Sequence, residues 1–256
     1  MSAPPAQTLA LSTHGLGKSF GSLVVAKDIT IQVPLGARYA LIGPNGAGKT
    51  TLINLITGMM RPDSGRIRLG DEDITALKPY QRVKLGLVRT FQINTLFPHL
   101  NALEAVVLAV CERRGVAANF WRPLSTYSEA VDEAYGVLAS VGLGADCTRA
   151  TRELAYGQQR LLEIALALAA KPAVLLLDEP AAGVPREESG ELFAAIAGLS
   201  KDITVLFIEH DMNLVFKFAS RIIVMVAGSI LVEGTPQEIA ADARVREVYL
   251  GGAHHG

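Results

Sequence analysis

The run Gly43-Pro44-Asn45-Gly46-Ala47-Gly48-Lys49-Thr50 places glycines, a lysine and a hydroxyl at the spacing G-x-x-x-x-G-K-[ST]. Its chemistry is phosphate binding. The glycines let successive backbone N–H groups turn inward onto phosphate oxygens, and a helix starting behind them adds the positive end of its dipole. Lys49 then reaches the β- and γ-phosphates of a nucleoside triphosphate, and Thr50 offers its hydroxyl to Mg²⁺. Thr51, next along the helix, belongs to the same phosphate-binding set. The apolar run 39–42 before the motif and a helical stretch ending near Gly58 after it supply the strand and helix that the motif requires.

A second constellation is acidic. Asp178-Glu179 follows Val174-Leu175-Leu176-Leu177. An aspartate at the end of a buried strand can hold the Mg²⁺ shell, and the adjacent glutamate can take the proton of an attacking water. His210 lies 31 residues after Glu179, just past the apolar run 203–208. Adjacent parallel strands bring both to one sheet edge, where ligands of such sheets gather. There the histidine can donate to a γ-phosphate oxygen or hold the water, which makes Glu179 and His210 the candidate catalytic pair. Gln92, after Val88-Arg89-Thr90-Phe91, carries an amide oxygen suited to the same Mg²⁺ or to positioning water. The candidate metal set is therefore Thr50, Gln92 and Asp178. Phe20, with Val25 beside it, offers an aromatic face for an adenine ring; a core phenylalanine is an equal reading.

The heptad Leu154-Ala155-Tyr156-Gly157-Gln158-Gln159-Arg160 precedes a helical stripe of Leu161, Ile164, Ala165 and Leu168, which predicts a helix from Gly157 or Gln158. Gly157 allows close backbone approach to a phosphate, and the amides of the next turn favour an anion. The phosphate loop already supplies a full cradle. A second phosphate-facing turn, Ala155, Tyr156, Gly157 and Gln158, is best used on the nucleotide of another chain, which implies an ATP-sandwich dimer.

These residues need an α/β scaffold. The runs 173–177 and 203–208 are apolar on nearly every residue, as in strands covered on both faces, and the helical segment 186–200 between them makes a βαβ unit with a parallel sheet. Segments 222–226 and 229–232 flank Ala227-Gly228 as a hairpin, and Thr235-Pro236-Gln237-Glu238 starts a closing helix over 236–251. Residues 101–152 have helical periodicity and read as a helical subdomain inserted into a core formed by 9–100 and 153–235. The whole is one domain over 9–251, with flexible ends at 1–8 and 252–256.

Composition narrows the classes. Half of the 256 residues are hydrophobic and mean hydropathy is +0.30. Yet no unbroken apolar run reaches the roughly 18 residues of a membrane helix, and the richest stretch, 161–170, contains Glu163. A net charge of −1 argues against a nucleic-acid partner. Cys111 and Cys147 suit neither a metal site nor a disulfide framework, and residues 1–10 lack the basic start of a signal peptide.

In this order, the phosphate loop, Gln92, heptad, Asp178-Glu179 and His210 resemble the nucleotide-binding subunit of ABC transporters across about residues 9–251. Val88-Arg89-Thr90-Phe91-Gln92 with Leu96-Phe97, Leu154-Ala155-Tyr156-Gly157, Pro180-Ala181-Ala182-Gly183 and Glu233-Gly234-Thr235-Pro236 with Tyr249-Leu250-Gly251 look like an ATPase subunit of branched-chain amino acid importers. Lipid or lipopolysaccharide export ATPases share much of this architecture and remain the alternative. The resemblance implies a P-loop NTPase core with a mainly parallel sheet, an N-terminal antiparallel β subdomain and an α-helical insert, using ATP and Mg²⁺. It implies a head-to-tail dimer with a second ATPase, either a non-identical sister or a second copy. Two transmembrane permease subunits and, indirectly, a periplasmic solute-binding protein complete the assembly, at the cytoplasmic face of a prokaryotic inner membrane.

Two departures stand out. The family signature usually begins Leu-Ser-Gly-Gly, and Ala155 replaces the serine whose hydroxyl contacts the partner's γ-phosphate. Losing one hydrogen bond to a charged group costs about 1.5–3 kcal/mol. Pro185 stands where the family generally has Asp or Asn in the loop crossing the dimer interface. A non-transport ABC ATPase of DNA repair or translation needs long coiled coils or two cassettes in one chain, and a GTPase needs a guanine motif that Lys201-Asp202-Ile203 does not supply.

Overall fold

The computed structural model describes residues 8–90, 96–116 and 128–250. The chain opens with two long strands, β1 (Leu9–Phe20) and β2 (Leu23–Pro34), followed by β3 (Arg38–Ile42) and helix α1 (Lys49–Thr57). Next come β4 (Ser64–Leu69), β5 (Glu72–Asp73), α2 (Pro79–Lys84) and β6 (Leu87–Arg89). Helices α3 (Ala102–Arg113), α4 (Ser128–Ser140) and α5 (Tyr156–Ala169) follow, then β7 (Val174–Asp178), α6 (Arg186–Ala197) and β8 (Thr204–Ile208). The chain closes with α7 (Met212–Phe218), β9 (Arg221–Val226), β10 (Ser229–Gly234), α8 (Pro236–Ala241) and α9 (Ala243–Leu250).

Two sheets result. An antiparallel sheet has the order β2-β1-β4-β5, and a six-stranded sheet has the order β10-β9-β3-β8-β7-β6. In the larger sheet β9, β3, β8, β7 and β6 run parallel, and β10 returns antiparallel through a hairpin. At its turn, Ala227 and Gly228 both hold positive φ, the conformation that suits the twist of the flanking strands.

Side-chain alternation along the central strands makes two cores. Ala40, Ile42, Leu175, Leu177, Val205 and Phe207 face one side, where α3, α4, α5 and α6 pack. Tyr39, Leu41, Val174, Leu176, Leu206 and Ile208 face the other, against α1 and the antiparallel sheet. Because both faces are covered, these strands are apolar along their central residues, the reason the sequence showed continuous runs there. Arg82 of α2 is almost fully buried and donates to the carbonyls of Leu55 and Ile56 at 2.8 and 2.6 Å. It thus satisfies the last turn of α1, next to Gly58 in a left-handed cap.

Two expectations are corrected. The predicted closing helix is two helices, because Asp242 leaves the helical region (ψ 120°) and its carboxylate accepts the Arg244 amide at 2.8 Å, starting α9 afresh. Helix α5 starts at Tyr156, beside the expected Gly157, but Leu162, absent from the predicted stripe, is fully buried. Most of the expected ends, residues 1–7 and 252–256, and residues 117–127 of the helical region lie outside the described residues. Among the described residues no helix is long and apolar enough to cross a membrane.

Candidate functional site

The phosphate loop joins buried β3 to α1 and is wedged between two strands. A Cβ on Gly43 would lie 2.2 Å from the carbonyl oxygen of Met225 on β9. One on Gly48 would lie 2.7 Å from the carbonyl oxygen of Val25 on β2, and Gly48 has φ 100°. Close backbone approach therefore fixes glycine at both ends of the loop. The β9–β10 turn braces it further: the Gly228 amide donates to the Ala47 carbonyl at 2.9 Å. Pro44, Asn45 and Gly46 stay exposed, as does Thr50, while Thr51 is half-buried.

Lys49 is buried and folds across its own loop, donating to the carbonyls of Gly43 (2.6 Å) and Pro44 (3.1 Å). Burial pushes its ammonium pKa down, and the Glu179 and Asp178 carboxylates oppose that shift.

Both carboxylates come from the end of β7, which pairs with β8 in parallel so that Asp178 faces Ile208. Asp178, 6% exposed, forms an ion pair with Arg89 of β6, and the other arm of Arg89 donates to Asn54 of α1 at 2.8 Å. Glu179 follows in a left-handed conformation, φ 49°, with its amide on the Ile208 carbonyl at 3.0 Å. For a non-glycine residue such backbone costs about 1–2 kcal/mol. Its Oε1 lies 2.9 Å from Nε2 of His210, so the topology brings the two expected catalytic side chains together. Next to His210 in the chain, Glu209 is 5% exposed and accepts the Ala181 and His210 amides, each at 2.9 Å.

The heptad forms a third structural group. Ala155 is the N-cap of α5 and has no side-chain acceptor; its own amide donates to Gln158 Oε1 at 3.1 Å. The Gly157 amide donates to Glu188 Oε2 of α6 at 2.9 Å, and Gln158 Nε2 donates to Asp146 at 2.8 Å. The Tyr156 ring covers Gly183, where a Cβ would lie 3.2 Å away, and its hydroxyl accepts from Arg160 at 2.8 Å. Pro185 is the N-cap of α6 with φ −54°, a value its ring enforces. None of these bonds from 155–158 reaches the phosphate loop of the same chain.

Of the remaining candidates, Phe20 is 52% exposed at the end of β1, which excludes the core-phenylalanine reading, and Val25 backs onto Gly48. Gln92 lies outside the described residues. Sequence reasoning passed over Arg89, Glu188 and Glu209. Glu209 had one signal, a charged residue directly after an apolar run and beside His210. Among the described residues no cluster of three or more His, Cys, Asp or Glu side chains could hold a metal alone.

Comparison with known proteins follows the same lines. Residues 26–182 match the family described as ABC transporter, and residues 229–255 match the one described as branched-chain amino acid ATP-binding cassette transporter. The chain is 39% identical over 252 residues to the high-affinity branched-chain amino acid transport ATP-binding protein BraF of Pseudomonas aeruginosa, covering 95% of this chain and 98% of that protein. It is also 39% identical over 250 residues to LivG of Escherichia coli K12, a protein of the same description, with the same coverage. Its backbone superposes on the ADP conformation of MJ1267, an ATP-binding cassette of an ABC transporter, with a TM-score of 0.83, 32% identity and coverage of 95% and 99%. The expected α/β P-loop architecture is the one observed. The family match runs through the phosphate loop to the acidic end of β7, and the chain belongs to the ABC transporter family as an ATP-hydrolysing transport subunit.

Proposed function

We propose that this chain powers the import of branched-chain amino acids or related small solutes, bound peripherally at the cytoplasmic face of the membrane. The observation that carries this reading is the 39% identity along 95% of the chain to proteins described as branched-chain amino acid transport ATP-binding proteins. The partners are a second ATPase (a non-identical sister or a second copy), two permease subunits and a solute-binding protein.

In this mechanism the amides of 45–48 take the ATP phosphates, and Lys49 exchanges the carbonyls of Gly43 and Pro44 for the β- and γ-phosphates. Phe20 and Val25 receive the adenine. Thr50, Asp178 and Gln92 would hold Mg²⁺. The hydroxyl of Thr50 and the carboxylate of Asp178 are hard oxygen donors suited to that ion, and the described residues hold no closed carboxylate cage, which fits a metal shared with substrate phosphates. When bound, the ion neutralises charge on the transferring phosphoryl group. Glu179 accepts the proton of the attacking water, and His210 gives up its contact with the Glu179 carboxylate to donate to the γ-phosphate or to hold the water. Residues 155–158 present a half-site to the ATP held by the second ATPase. The test is affinity purification from the native membrane. Recovery of permease subunits and a solute-binding protein, whose thermal shift responds to branched-chain amino acids, supports import; envelope lipid-bridge components in their place would indicate export.

A further inference from the structure

Ala155 leaves α5 without a side-chain cap, yet the Gly157 amide has an acceptor. Glu188 Oε2, in the first turn of α6, takes it at 2.9 Å. The fit is tight: a Cβ on Gly157 would lie 2.4 Å from that oxygen and 3.2 Å from the Glu188 Cβ. A carboxylate therefore rests at the positive end of the α5 dipole, the place an anion prefers.

That amide is also the donor which the half-site offers to the second ATPase's terminal phosphate. One N–H does not serve two anions at full strength, and two anions brought together there repel. We propose that Glu188 is an internal stand-in for that phosphate. It caps the helix start that Ala155 cannot cap, keeps the half-site preformed in the open state, and must leave Gly157 before the dimer closes on ATP. Glu188 thus sets the ATP requirement of the half-site and is a positioning residue acting through Gly157. The proposal rests on the sandwich arrangement given under Proposed function.

The test uses the full chain in the complex purified with its membrane subunits, carrying Glu179→Gln to suppress hydrolysis. Closure is followed by cross-linking across the interface during an ATP titration. Glu188→Gln keeps an acceptor of the same length and removes the charge. It should lower the ATP concentration for half-maximal closure about fivefold to tenfold, with Tm falling less than in Glu188→Ala. Glu188→Ala should lower both, and adding Ala155→Ser should restore Tm while the ATP requirement stays low. An ATP requirement that is unchanged or raised in Glu188→Gln overturns the proposal, as does failure of Ala155→Ser to restore Tm. If the complex with Glu188 intact never closes on ATP, the sandwich arrangement itself fails, a result distinct from either.

Discussion

Arg89 and Asp178 form an ion pair between neighbouring strands at the inner end of the site, and the second arm of Arg89 holds Asn54 on the helix behind the phosphate loop at 2.8 Å. One arginine thereby ties β6, β7 and α1 together. The expected Mg²⁺ carboxylate is held in place before any ligand arrives.

Arg89→Met should leave Asp178 buried without its ion-pair partner and destabilise the protein by about 3–5 kcal/mol in denaturant unfolding. Arg89→Lys keeps the charge but not the two-armed reach, and should recover only part of that loss. Equal stability of Arg89→Met and the parent would show that the pair contributes nothing.

Glu209→Ala should release the amides of Ala181 and His210, costing about 1–3 kcal/mol of stability. Because those amides fix the turn after Glu179 and the backbone of His210, kcat should fall more than KM for ATP rises. Glu209→Gln retains one acceptor oxygen and should give intermediate kinetics. Steady-state ATPase assays across the three proteins measure the order.

His210→Ala removes the group 2.9 Å from the Glu179 carboxylate. Turnover should drop on the order of 10²-fold or more, with nucleotide affinity within a few-fold of the parent. Equilibrium binding of a fluorescent ATP analogue separates the two effects.

The junction of α8 and α9 should respond to acid. The Arg244 side chain, with help from its amide, holds the Asp242 carboxyl at about 2, below the ordinary 3.8. A depressed folded value stabilises the junction above the ordinary carboxylate value, and that contribution is lost as pH falls from 3.8 towards 2. NMR shifts of 242–245 should therefore stay native at about pH 4 and change over that window. A change complete above pH 4 would contradict the assignment.

The elements that the sequence announced were those set by local chemistry. The all-apolar runs of β7 and β8 reported a sheet covered on both faces. The capping box of Thr235 and Glu238 marked the start of α8 at Pro236. What stayed hidden depends on partners distant in sequence. Gly157 meets Glu188 across 31 residues, Ala181 meets Glu209 across 28, and Arg89 meets Asp178 across 89. No local pattern encodes such pairings. The departure at Ala155 was legible, but its compensation by a carboxylate from α6 required the packed structure. Likewise, the break at Asp242 lies inside a segment with continuous helical character, and only the carboxylate's turn onto Arg244 reveals it.

The central claim is that Glu179 takes the proton from water in an ATPase acting as half of a sandwich. It is tested most directly by steady-state hydrolysis in the purified complex carrying Glu179→Gln, with ATP-dependent dimer closure measured on the same sample. Hydrolysis should fall on the order of 10²–10⁴-fold, with ATP binding preserved and a closed dimer that persists. Hydrolysis at the parent rate would contradict it.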